Sequence, residues 1–127
     1  MYFILETSKS FEQVCEALEV QVSAHGFSLQ HVHNIGQTLR TKGQNFEEEC
    51  KVFEACNPQY AAAVLARDLK LNMALPCRIS VYTDQGKVLV GMIEPMQILT
   101  MLSSDPELKV IAADVETTLK KIMESSV

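Results

Sequence analysis

Three cysteines stand where a strand meets a turn. Cys56 precedes Asn57 and Pro58, Cys77 follows Leu75 and Pro76, and Cys50 lies six residues before Cys56. A thiolate at a helix N-terminus is stabilised by free N–H groups and by the helix dipole, which makes Cys56 a candidate nucleophile. The opposing reading is that Cys56 and Cys77 are small buried residues, a common fate of free cysteine. On one strand, Cys50 and Cys56 would be roughly 20 Å apart, too far for a disulfide. Their spacing is also not that of a C-x-x-C redox pair. Cys15 falls in the apolar stripe of a helix and reads as core.

His31 and His33 alternate on a strand, so both side chains point the same way. With a thiolate from Cys50 or Cys77 on a neighbouring strand they would make a metal site; alone they read as solvated histidines. His25, beside the helix-terminal Gly26, suits the negative end of the helix dipole. Glu54 lies inside a strand between two cysteines. It either faces solvent or pairs with Arg78 or Lys51, because an unpaired buried carboxylate is costly. No other carboxylates form an acid/base pair. Neither a phosphate-cradling glycine loop nor Gly-x-Ser-x-Gly is present, and no cofactor is indicated. The methionines at 73, 92, 96, 101 and 123 fall late in the chain and suit an adaptable apolar pocket, an interface or a core.

These residues need elements to position them. Met1–Glu6 is predicted as a strand. Ser10, with Gln13 three residues on, opens a helix through a capping box. Phe11, Val14, Cys15, Leu18 and Val22 give its apolar stripe, and Gly26 stops it. Phe27–Asn34 is the second strand, with Phe27, Leu29, His31 and His33 on one face. Residues 35–43 are a connection, with one short helical turn around Gln37–Arg40. Phe46–Cys56 is the third strand, its faces reading Cys50, Val52, Glu54, Cys56 and Lys51, Phe53, Ala55. Asn57 caps the next helix and Pro58 takes its first position. Pro76 leads into the strand Cys77–Thr83, which places Cys77, Ile79 and Val81 on one face. Asp84-Gln85-Gly86 turns the chain, and Lys87–Ile93 returns antiparallel. Pro95 starts a short helix over Met96–Leu102, and Asp105-Pro106 starts the last one.

The order β-α-β-β-α-β-β-α predicts one α+β domain over residues 1–127: a mostly antiparallel, curved sheet with helices packed on one face. Whether the strands carrying Cys56 and Cys77 run parallel or antiparallel is open, and with it whether the two sulfurs share a sheet end.

The 127 residues fit one domain, and 47% hydrophobic with 21% charged marks a globular chain. The net charge of −5 argues against nucleic acid, which needs a basic patch. The run Tyr60–Ala66 is too short to cross a bilayer. Met1–Leu5 lacks a basic leader and a cleavage site, so no signal peptide is expected. The expectation is a cytoplasmic protein with reduced cysteines and no membrane or nucleic-acid partner.

The succession of pieces resembles the bacterial family called domain of unknown function 302. The pieces are Val52 through Pro58, then Leu75-Pro76-Cys77-Arg78-Ile79-Ser80-Val81, then Gly86 through Val90 with Glu94-Pro95. The likeness covers roughly residues 1 to 122 and lies in order and spacing rather than in any catalytic motif. It implies a TATA-binding-protein-like α/β fold and homodimers, and it implies no activity. The family often carries glycine before Asn-Pro and an aliphatic residue after Leu-Pro. Cys56 and Cys77 in those places mark a cysteine-bearing branch. Two functions follow. The first is a non-enzymatic domain whose sheet face holds a small apolar or sulfur-containing ligand or meets a second copy. The alternative is a reactive-thiol protein using Cys56, Cys77 and Cys50 with His31 and His33 as sulfur carrier, redox sensor or metal binder.

Overall fold

A computed structural model describes all of residues 1–127. Five strands form one antiparallel sheet in the order β1-β5-β4-β3-β2. They are β1 Tyr2–Thr7, β2 Ser28–Asn34, β3 Cys50–Cys56, β4 Cys77–Asp84 and β5 Lys87–Ile93. The helices are α1 Phe11–Ala24, α2 Ile35–Thr41, α3 Pro58–Arg67, α4 Pro95–Leu102 and α5 Pro106–Ser126, with a 3₁₀ segment at Leu69–Ala74. The α+β class and the antiparallel sheet are as predicted. The short helix predicted after Pro95 is present as α4, and the full order adds α2 and the 3₁₀ segment. No helix is long and apolar enough to cross a membrane.

The local signals behave as their chemistry dictates. Ser10 and Gln13 form both bonds of the capping box. Gly26, at φ +79°, takes the left-handed position that ends α1. His25 Nδ1 lies 2.9 Å from the Gln21 carbonyl at that helix end. Asp84 pairs with Lys87 across Gln85 and Gly86, both with positive φ, as a two-residue hairpin of this twist requires.

Three expectations are corrected. Residues 35–41 form two turns of helix rather than one, because the Asn34 side chain accepts from the Gln37 amide. Residues 46–49 are not strand. Arg40 donates to the Phe46 and Glu48 carbonyls, and the Glu48 carboxylate turns to accept from Thr83 Oγ1 and the Gln85 amide, each at 2.8 Å. The third correction concerns β2. A bulge at Gln30 makes Leu29 oppose Ala55 but His31 oppose Glu54. Phe27, Leu29 and Val32 therefore join the core, and His31 and His33 point to the opposite, helix-free face.

The core lies between the sheet and helices α1 and α5. It takes Phe53 and Ala55 from β3, Ile79 and Val81 from β4, Val90 and Met92 from β5, and the stripes of both helices. A separate cluster, Val64, Leu71, Leu99, Leu108 and Ala112, joins α3, the 3₁₀ segment, α4 and α5. Arg67 grips Asp105 through two bonds of 2.7 and 3.0 Å, which ties α3 to the N-cap of α5.

Several carboxylates are held below their ordinary range by such contacts. Glu48 is lowered by the Gln85 amide and Thr83, Glu94 by Lys120, and Asp105 by Arg67. A lowered folded-state pKa means the contribution is complete above the ordinary carboxylate range and is lost as pH falls from that range through the lowered value. Urea midpoints are expected to fall on acidification from neutral pH. Glu48→Gln should flatten part of that slope, and a midpoint that rises on acidification contradicts the assignment.

Candidate ligand-binding cavity

The sheet splits at one end. The β4–β5 ladder runs from Asp84 opposite Lys87 to Ser80 opposite Gly91 and stops there. Beyond it β4 stays with β3, down to Cys77 opposite Ala55, while β5 stays with β1, up to Ile93 opposite Tyr2. Each half is held by its own partner. Arg78 reaches Glu54 on β3 at 3.3 Å. On the other side the Glu94 amide donates to the Met1 carbonyl at 2.9 Å, and the Glu94 carboxylate meets the Met1 amine and Lys120. The chain enters β4 through Pro76 and leaves β5 toward Pro95, so the two strand ends lead to different helices.

A cavity of about 700 Å³ occupies the split. Its lining takes residues from both faces of the sheet. Cys77, Met92, Val115 and Leu119 come from the core side, while Tyr2, Ile4, Tyr82 and Ile93 come from the helix-free side. Tyr60, Ala61 and Val64 of α3 and Ile98 and Leu99 of α4 close it over the gap between the two apolar clusters. Twenty of its 26 lining residues are hydrophobic, and Arg78 is the one charged residue among them. The size and the apolar lining with few polar groups are those of small-molecule sites. Gly91 keeps the rim low: a Cβ there would meet Ile4 Cγ1 at 3.3 Å.

Because β3 and β4 are antiparallel neighbours, Cys56 and Cys77 share a sheet end, and both line the cavity. Cys56 gains no helix-terminus amides. Asn57 Oδ1 accepts from the Gln59 and Tyr60 amides, the Ala61 amide bonds the Asn57 carbonyl, and Pro58 has no N–H. No amide of the first turn is left for a thiolate. Cys77 faces the core, and burial pushes its thiol up to about 11. Burial also raises Cys50, which pairs opposite Tyr82 away from the split. All four cysteines are free. Iodoacetamide is expected to modify native Cys77 far more slowly than a free thiol at neutral pH, with the rate climbing only in alkali. Peptide mass mapping of the time course checks this; free-thiol rates at Cys77 contradict it.

The histidine rings meet edge to face at 4.3 Å, and His33 Nε2 lies 2.9 Å from Glu54 Oε1. Glu54 thus serves His33 and Arg78 together, which lowers its pKa, chiefly through His33. Lys51, the other expected partner, lies over the Phe11 ring on the helix side. No group of three or more His, Cys, Asp or Glu side chains converges anywhere. Cys77 is on the far side of the sheet from His31 and His33, so it does not complete a site with them.

The family model described as domain of unknown function DUF302 matches residues 3–126. The chain belongs to the domain of unknown function 302 family. A crystal structure of an uncharacterized conserved DUF302 protein from Bacillus stearothermophilus superposes with a TM-score of 0.94 at 32% identity. It covers 99% of this chain and 98% of its own. No curated protein matches. For this DUF302 chain, the reading from residues alone singled out Cys56, Cys77 and Arg78 but not the cavity they border. Tyr60, Ala61 and Tyr82 line it without a signal of their own in the sequence, whereas Met73 and Met92 belong to the late methionines that suit an apolar pocket. One signal was present: both strands that part company are flanked by proline, at Leu75-Pro76 and Glu94-Pro95.

Proposed function

We propose that this DUF302 chain is a non-enzymatic binding domain for a small apolar molecule, held in the cavity between the two halves of the sheet. The observation that carries this is a 700 Å³ space with apolar walls, reached through a gap that five strands in register would have closed. Interiors pack to the density of an organic crystal, so an apolar cleft of this size between paired strands suits a small-molecule ligand. The cavity holds no paired acid and base and no activated nucleophile, and Cys77, the thiol of its lining that faces the core, is held protonated at neutral pH.

Titration with N-phenylnaphthylamine tests the proposal. Saturable fluorescence enhancement at one probe per chain is expected. A linear, unsaturable response indistinguishable from that of unfolded chain overturns it.

A second reading has its own observation. Tyr2 is 74% exposed, and Ile4 and Ile93 nearly half exposed, on the sheet face that no helix covers. A second copy packed there would bury them. Light scattering decides: twice the 14.2 kDa chain mass supports the dimer, and the chain mass itself removes it.

A further inference from the structure

We infer that the apolar ligand carries an anionic head, a carboxylate on an alkyl chain, and that Arg78 with Ser80 receives it at the split; this rests on the cavity reading above. Arg78 and Ser80 alternate on β4, so both side chains stand on the helix-free face at the mouth. Arg78 uses only Nε within the protein, donating to Glu54 Oε2 at 3.3 Å. Its two terminal amino groups have no protein partner, and its side chain is 65% exposed. The Ser80 hydroxyl has no protein partner either, and the residue is half-buried. Together they offer a guanidinium fork and a hydroxyl beside an apolar channel, a geometry suited to a planar carboxylate.

The surroundings favour that sign of charge. No Asp or Glu lines the cavity. Glu54 stands behind Arg78 and divides itself between Arg78 Nε and His33 Nε2. It acts as a positioning residue: by occupying Nε it turns the free edge of the guanidinium outward. An alcohol head would accept from the fork singly and without charge, and a cationic head would be repelled by it.

Three probes of equal chain length separate the parts of this inference: dodecanoate, dodecanol and dodecyltrimethylammonium, titrated below their micelle concentrations by displacement of N-phenylnaphthylamine. Dodecanoate is expected to bind at least about tenfold more tightly than dodecanol, and the cation more weakly than both. Arg78→Gln should bring dodecanoate to the level that dodecanol shows in the same variant. Saturable dodecanol binding by the variant reports that it is folded with its cavity intact. Equal binding of dodecanoate and dodecanol, or an Arg78→Gln variant that still prefers dodecanoate, overturns the anionic head while the apolar cavity stands. If none of the three binds, the cavity reading and this inference fall together.

Discussion

Phe53→Ala is expected to cost about 3–5 kcal/mol of folding stability, the largest loss from any single truncation in this chain. Phe53 is 1% exposed at the centre of the sheet. It lies opposite Val32 on β2 and Ile79 on β4, under the apolar stripes of α1 and α5. Its removal loses the transfer energy of the ring and leaves a hole that strands paired on both sides cannot close. Against a total of about 5–15 kcal/mol that is a large fraction, so part of the variant should be unfolded in mild urea. Val20→Ala, at a position 64% exposed on α1, is the control and should shift stability by less than about 0.5 kcal/mol. Urea denaturation checks both; a Phe53→Ala loss below about 1 kcal/mol would contradict the placement of the core.

Ala61→Phe is expected to abolish binding of N-phenylnaphthylamine, weakening it at least about tenfold, with no loss of stability. Ala61 is on α3, and its methyl forms part of the cavity wall. A phenyl ring there enters space that is already open, so it does not overpack a closed core. The added apolar surface is buried, which stabilises the chain as in other cavity-filling changes. The two variants therefore separate two kinds of interior. Truncation in the packed core costs stability, while enlargement at the cavity wall costs binding alone. Equal probe affinity in Ala61→Phe and the parent chain would show that the probe sits elsewhere.

Much of this architecture was legible in the residues because its signals are local. The Ser10–Gln13 box, Asn57 and Asp105 before prolines, and Gly26 and Gly86 with positive φ each fix a boundary through bonds within a few residues. The inward faces of β3 and β4 followed from simple alternation. What failed depended on pairing between distant segments. The bulge at Gln30 reverses the alternation of β2, and nothing local to His31 and His33 announces it. The escape of residues 46–49 from the sheet depends on Arg40 and on a hairpin more than thirty residues away. The helix-terminus argument for Cys56 failed because Asn57 is a good cap, and a cap that takes the free amides leaves none for a neighbour. The split is the least local feature of all. It arises where two strands, each well paired on its outer side, are drawn apart by their different onward paths.

Backbone amide NMR of the intact chain, followed through a titration with dodecanoate, tests the central claim most directly. Ligand in the split should shift Cys77–Ser80 on β4 and Gly91–Ile93 on β5 together, with Ala61 and Val64 of α3, along one saturating curve. Shifts confined to one bank of the split, or spread over the outer sheet face around His31 and His33, would contradict it.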